Sequence, residues 1–155
     1  MAAEYSANAI QTVQPGQSVI FTESPVPCKR GLIFHRDESG SFLLASVVPS
    51  GVCPCGCRKI YETLYEVGFH SNIAIPTGGT VEEIQLAIVI DGEVDPSSIM
   101  RITPAAVDEY GNIGAGIIVA VPSLCRCENV SVRNISTQPI LVQNANLTID
   151  PAGIS

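Results

Sequence analysis

The chain has 155 residues, of which 46% are hydrophobic and 15% charged, and its formal net charge at pH 7 is −7. This length favours a single domain, residues 1–155, that buries about two-thirds of the surface of its unfolded chain. The acidic balance argues against nucleic acid as a partner, because a phosphate backbone requires clustered Lys and Arg. Charged residues fall well below the roughly 25% of an average soluble domain, which favours burial of apolar surface between subunits.

No targeting or membrane segment is evident in the sequence. Residues 1–6 have neither the basic start nor the apolar core of a signal peptide. The longest apolar run, residues 113–121, falls well short of the roughly 20 residues that a membrane helix requires. We therefore expect synthesis without a signal peptide and no membrane partner.

Short strands joined by glycine and proline turns are predicted in the first half of the chain. They cover residues 7–13, 18–22, 31–36 and 40–46. Residues 1–17 form a candidate N-terminal strand or arm, while Pro25 and Pro27 are expected to stop regular pairing. Residues 47–58 contain two prolines, two glycines and three cysteines, so a loop is predicted there.

Residues 59–69 have aromatic and aliphatic spacings that suit either a helix face or a strand. Tyr65, Val67 and Phe69 alternate with polar or small neighbours, and glycine-bearing loops frame the segment. Because this alternation has a period of two, we predict a strand.

The central prediction is a strand at Ile84–Ile90 that is closed by the Asp-Gly turn signal of residues 91–93. From Leu86 to Ile90 both faces are apolar, which an antiparallel sheet with one wet face does not need. Residues 113–121 have the same property. We therefore expect these strands to pack on a second sheet and also against another subunit.

Further strands are predicted at residues 98–103, 128–134, 139–143 and 145–149. Residues 104–110 are predicted to hold a short helical turn, with Pro104 at its first position. Eight to ten short strands at spacings of about 8–12 residues are typical of an all-β antiparallel sandwich or jelly roll.

A family resemblance accompanies this pattern. It is carried by Gln14-Pro15-Gly16, Gly40-Ser41-Phe42, Phe69 with Ile73-Ala74-Ile75-Pro76, Val130-Ser131-Val132 and Leu147-Thr148-Ile149. Together these segments resemble the C1q/TNF-like jelly roll. A similarity to small structural proteins of gut Firmicutes and their phages is carried by residues 75–80, 86–93, 103–107 and 143–149.

The resemblance implies a homotrimer that acts as a capsid decoration or head-fibre protein on the exterior of a virion, made in the bacterial cytoplasm. Its implied partners are its own copies and the major capsid protein or other virion proteins. The alternative is a module that binds a host-surface carbohydrate, a protein or another ligand and is displayed on a virion, spore or cell surface. Aromatic residues that would stack on sugars are sparse at 5%, with no Trp, which counts against carbohydrate. The predicted trimer-interface residues are Leu86, Ile88, Ile90, Ile117, Val119 and Val121.

Cysteines form the only chemically dense cluster in the sequence, with Cys28 standing apart from it. The cluster contains Cys53, Cys55, Cys57, Cys125 and Cys127. Loops at one end of a sandwich can bring these residues together, and three interpretations stay open: disulfides, unpaired thiols and a zinc site. The zinc site is the least favoured, because a Cys-X-Cys spacing is tighter than the usual ligand spacing.

Catalytic residues are not indicated, and neither an enzyme nor a cofactor or metal is expected. His35 and His70 are separated and lie near no nucleophile motif, so structural roles are favoured over acid–base chemistry. The acidic residues of 91–95 lack the ligand set of a calcium site and are expected to be solvated turn residues. Glycosylation sequons begin at Asn129, Asn134 and Asn146, and no modification is expected without a secretory route.

Overall fold

The computed structural model describes residues 2–28, 31–36, 38–46, 62–122 and 127–154. Its strands are β1 (Ala3–Ala7), β2 (Gln11–Val13), β3 (Glu23–Val26), β4 (Ile33–His35), β5 (Phe42–Leu44), β6 (Glu62–Ala74), β7 (Ile84–Ile90), β8 (Glu93–Val94), β9 (Met100–Ile102), β10 (Gly111–Pro122), β11 (Glu128–Asn134) and β12 (Ile140–Ile154). One turn of 3-10 helix spans Pro96–Ser98. None of the helical structure in these ranges is long and apolar enough to cross a membrane.

Two six-stranded sheets form the fold. Sheet A has the order β10-β6-β12-β1-β3, with β2 also beside β12. Sheet B has the order β4-β5-β11-β7-β8, with β9 also beside β7. All of the strand pairings are antiparallel. The predicted all-β antiparallel sandwich is therefore confirmed.

Strand β6 shows why these sequences pair as they do. Tyr65, Val67 and Phe69 are buried between the sheets, while Glu66 and His70 on the opposite face are exposed. The choice of a strand over a helix for this segment was therefore correct. The remaining predicted part of that segment, residues 59–61, lies outside the described residues, as does the loop predicted at 47–58.

Aromatic rings join the two sheets in the core. Phe42 of sheet B lies 4.7 Å from Tyr5 and 5.4 Å from Phe21, measured between ring centroids. Phe21 in turn meets Phe69 of sheet A edge to face at 6.3 Å. Such tilted contacts stabilise aromatic pairs beyond the area that they bury.

The turn after β7 also follows the prediction. Asp91 and Gly92 both have positive φ, at 49° and 86°, which matches the two-residue hairpin turn favoured by Asp-Gly. The chain then returns as β8, whose Val94 lies opposite Val89. Val89 is 1% exposed, so both faces of β7 are covered within a single chain.

Several segments differ from the predictions. Residues 8–10 separate β1 from β2, so no single strand covers 7–13, and residues 140–154 form one strand where two were predicted. Residues 104–110 form turns rather than a helical turn, and Asp108 takes a positive φ of 57° that ends any helical run. Residues 18–22 contain only isolated bridges, from Ser18 to Arg133 and from Phe21 to Ser39. The backbone of Ile20 pairs with a side chain instead of a strand. The Gln11 amide donates to the Ile20 carbonyl and accepts from the Ile20 N–H, both at 2.9 Å.

Pro25 is a further difference, because it lies within β3 rather than stopping the pairing. Strand β3 is the edge of sheet A and pairs only with β1. An edge strand has one side without ladder bonds, so it tolerates a residue that lacks an N–H group.

Two serine hydroxyls replace missing strand neighbours along β7. The Ser98 hydroxyl accepts from the Ile88 N–H at 2.9 Å and lies within hydrogen-bond reach of the Ile88 and Asp95 carbonyl oxygens. The Ser136 hydroxyl accepts from the Gln85 N–H at 2.7 Å and donates to the Gln85 carbonyl at 3.1 Å. The backbone N–H and C=O groups of β7 that have no partner strand are therefore still hydrogen-bonded.

Asn134 connects the two sheets at one end of the sandwich. This fully buried side chain donates to the carbonyl of Val13 in sheet A at 2.9 Å and to that of Gln138 at 3.0 Å. Its Oδ1 accepts from the Ser136 N–H at 2.8 Å. Both N–H donors and the carbonyl oxygen of this buried amide have partners, so the side chain specifies one arrangement of its neighbours.

Ser71 supplies a stability prediction, because its buried hydroxyl on the inner face of β6 has no hydrogen-bond partner. An unpaired buried hydroxyl costs roughly 1–3 kcal/mol, so Ser71→Ala is expected to raise the free energy of unfolding by up to about 1 kcal/mol after the small void is subtracted. Ser98→Ala, at an equally buried serine with bonded partners, is expected to lower it by about 1–3 kcal/mol. Urea unfolding measures the free energy of unfolding of both variants. If the two substitutions lowered it equally, the Ser71 hydroxyl could not be unpaired.

Tyr65 gives a second prediction, on alkaline stability. Burial raises the pKa of Tyr65 to about 12, and the nearby thiols of Cys28 and Cys127 add to this rise when they ionise. Because the folded pKa exceeds the unfolded value of about 10, this contribution to stability is complete below pH 10 and is lost as the pH rises through about 12. Unfolding free energies measured from pH 9 upward are expected to fall less steeply for Tyr65→Phe. Parallel curves for the two proteins would refute the role of Tyr65.

Candidate functional site

The outward face of sheet A is the candidate interaction surface, and we call it the sheet A face. Its members are the outward residues of the three neighbouring strands β10, β6 and β12, namely Gly114, Gly116, Ile118, Ala120, Leu64, Glu66, Gly68, His70, Asn146, Thr148 and Asp150. Ile118 is 63% exposed, the largest value among the exposed large hydrophobic residues described. Its neighbours on the same side of β10, Gly114, Gly116 and Ala120, are exposed as well, so the strand presents a row of exposed apolar positions rather than one isolated side chain.

Strand register arranges this face in rows. Gly116, Gly68 and Thr148 lie opposite one another on the three strands, and the next row contains Ile118, Glu66 and Asp150. A Cβ atom on Gly68 would lie only 3.1 Å from the Thr148 hydroxyl. Because glycine has no side chain, the surface is depressed at this row. The result is a shallow cleft of about 560 Å³.

Charge is distributed unevenly over the face. Glu66 and Asp150 lie directly opposite each other on neighbouring strands, an arrangement of like charges that costs stability. Glu4 on β1 lies opposite Thr148, in the neighbouring row, and accepts a hydrogen bond from Asn146 at 2.6 Å. Strand β10 contains no charged residue over its twelve positions. The face therefore has an apolar half on β10 and an acidic half on β6, β12 and β1.

Strand β10 is also an edge, since it pairs only with β6. The opposite edge of sheet A, β3, contains Glu23 and Pro25, and its register with β1 is irregular. The outer strands of sheet B have only two or three residues each. Charge, proline, bulges and short length are the usual protection of an edge against pairing. Among the described strands, β10 is the long edge that has no charge and no bulge, and its one proline, Pro122, is its last residue.

The predicted interface residues lie partly inside the sandwich. Leu86, Ile88, Val119 and Val121 are at most 2% exposed and belong to the core of the chain itself. Ile90 and Ile117 are partly buried against that core. The trimer interface stays a prediction, and the outward residue of β10 that lies next to the predicted ones is Ile118. The uninterrupted run Ile117-Ile118-Val119 gave no indication of which residue points outward.

Most of the predicted thiol cluster, namely Cys53, Cys55, Cys57 and Cys125, lies outside the described residues. Cys127 is exposed, and Cys28 is partly buried against the core. In the ranges that the structure describes, no three His, Cys, Asp or Glu side chains are grouped to hold a metal.

The other polar residues noted in the sequence have structural positions. His35 stacks on Phe42 with ring centroids 4.4 Å apart, and its Nε2 lies 3.0 Å from the Ser39 carbonyl oxygen. In the acidic turn, hydrogen bonds with Glu128 and from the Asn129 N–H hold the pKa of Asp91 below its usual value. The Asp95 carboxylate accepts from the Ser97 N–H at 2.9 Å and so begins the 3-10 turn.

Comparison with known proteins identifies the fold. No protein-family model matches the sequence, and no curated protein is significantly similar to it. Among solved structures, the Eiger TNF of S. frugiperda superposes with a TM-score of 0.67 at 9% identity, covering 99% of this chain and 92% of that one. Murine APRIL gives a TM-score of 0.52 at 6% identity, covering 96% and 98%. The chain therefore has the TNF-like jelly-roll fold.

Proposed function

We propose that this chain is a structural protein that assembles with its own copies through the sheet A face. The observation that carries the proposal is Ile118, which is 63% exposed on a long edge strand without charge or proline protection in its interior. Burial of apolar surface stabilises association by roughly 25 cal/mol per Å² before the costs of association. A second copy is the partner that the sequence resemblance implies, in the form of a homotrimer.

The uneven charge of the face favours a head-to-tail contact. In a symmetric pairing of like halves, the Glu66 and Asp150 side of one copy would meet the same carboxylates of the other. If the apolar β10 half of each copy packs against the next copy's Gly68 and Thr148 row, this repulsion is avoided. Head-to-tail contacts close into rings when the rotation permits, and a ring of three satisfies this condition.

The finer proposal is a virion protein, either a capsid decoration or a head fibre on the capsid exterior. Its support is the resemblance of residues 75–80, 86–93, 103–107 and 143–149 to small structural proteins of gut Firmicutes and their phages. The protein acts without catalysis, and its partners are the major capsid protein or other virion proteins. Many weak contacts on a repeating lattice then add up to firm attachment. Immunogold labelling of purified phage particles tests this placement, and label confined to cells would contradict it.

A second candidate function is a ligand-binding module displayed on a virion, spore or cell surface. The observation that favours it is a small cleft beside the exposed Phe34 on sheet B, away from the sheet A face. The two functions are compatible, because one surface would serve assembly and the other would bind the ligand.

The assembly proposal predicts that Ile118→Asp converts the trimer to monomers while the melting temperature of the folded chain changes little. The reason is that the new carboxylate would be desolvated at the interface next to Glu66 and Asp150. Light scattering after size-exclusion chromatography measures the mass.

Two matched substitutions complete the experiment. Ile10→Asp, at another exposed isoleucine outside the sheet A face, is expected to remain trimeric. Ile88→Asp is expected to prevent folding, since that side chain is fully buried in the core. A monomeric wild-type protein, or an Ile118→Asp protein that keeps the wild-type mass, would refute assembly through this face.

A further inference from the structure

A small cleft lies on the outward face of sheet B, at the hairpin formed by β4 and β5. Its volume is about 260 Å³, and it is lined by Phe34, Arg36, Ser39, Ser41 and Leu43. Pockets for drug-sized ligands occupy about 300–1,000 Å³. The cleft therefore fits one small ring rather than an extended ligand.

The apolar wall of the cleft is an exposed pair of side chains. Phe34 and Leu43 lie directly opposite each other on β4 and β5 and are 61% and 38% exposed. The ring of Phe34 is thus presented to solvent by a regular strand, whereas the other three phenylalanines, Phe21, Phe42 and Phe69, are buried. An aromatic face in this position offers a flat apolar platform for a ligand ring.

Polar groups converge beside that platform. The Arg36 guanidinium has no ion-pair or hydrogen-bond partner among the described residues. The Ser41 hydroxyl accepts from the Asn129 side chain at 2.6 Å and keeps its own hydrogen for another acceptor. The Ser39 hydroxyl donates to the Arg36 carbonyl at 2.7 Å and accepts from the Ser41 N–H at 3.3 Å, which leaves it one acceptor lone pair. The cleft thus offers both donors and acceptors next to an apolar face.

The hairpin is held in place by contacts behind the cleft. His35, which points inward between Phe34 and Arg36, stacks on Phe42 and reaches the Ser39 carbonyl. The same carbonyl accepts from the Phe21 N–H at 3.0 Å. A site whose groups are already positioned loses less freedom when a ligand binds.

We propose that this cleft binds one pyranose ring of an uncharged glycan. The apolar face of the sugar would stack on Phe34, and its hydroxyl groups, which both donate and accept, would meet Arg36, Ser39 and Ser41. An uncharged ligand is preferred because the chain has a net charge of −7, which disfavours the approach of an anion. This inference rests on the second candidate function and is independent of self-association, although three clefts on one trimer would add avidity.

The test is a titration of the ¹⁵N-labelled protein with methyl β-D-glucopyranoside, methyl β-D-galactopyranoside, methyl α-D-mannopyranoside and N-acetylglucosamine, followed by amide NMR shifts. A single ring is expected to bind with a dissociation constant of about 1 mM or weaker. The shifts are expected at residues 34–43. Phe34→Ala is expected to weaken binding about tenfold or more, and Arg36→Gln several-fold, with the melting temperature close to that of the wild type.

Matched controls separate this inference from the assembly proposal. Val26→Ala, at an exposed apolar residue of β3, is expected to leave binding unchanged. Ile118→Asp is expected to lose the trimer but keep sugar binding, while Phe34→Ala keeps the trimer. Absence of shifts with all four sugars, shifts confined to the sheet A face, or undiminished binding by Phe34→Ala would each overturn the inference.

Discussion

The alternation along β6 is the constraint on which the rest of the structure depends. This strand pairs with β10 on one side and β12 on the other, and its inward residues Tyr65, Val67 and Phe69 form the middle of the core. A slip of one residue would place those side chains in water and bring Glu66 and His70 inside. The same register sets the rows of the sheet A face, so the core and the candidate interaction surface are two products of one pairing.

Much of the fold could be predicted from the sequence, because the strong signals were local. Alternation in residues 65–70, the Asp-Gly turn after β7 and the uniform apolar runs each specify a strand or a turn without reference to distant residues. The failures arose where distant partners decide the outcome. Pro25 is accepted because β3 happens to be an edge, and the backbone around Ile20 bonds to the Gln11 side chain instead of a strand. Neither fact can be derived from local pattern.

The candidate surfaces were less accessible to prediction. The apolar runs of β7 and β10 indicated more than one covered face, yet β7 turned out to be covered on both faces by its own chain. Which of Ile117 and Ile118 points outward is decided by the register with β6, and a continuous apolar run does not contain that information. The cleft beside Phe34 likewise depends on the pairing of Phe34 with Leu43, which places two exposed apolar residues together.

The buried amide of Asn134 has a consequence for how the protein can be produced. Asn134, Ile135 and Ser136 form an acceptor sequence for N-linked glycans, and the nitrogen that would be glycosylated is the donor to Val13 and Gln138. A eukaryotic secretory host can attach the sugar to the nascent chain, before this amide is enclosed. The modified chain could not then close the junction between its sheets. We therefore expect misfolded protein from such a host. In bacteria the amide stays unmodified and can form its hydrogen bonds to Val13 and Gln138.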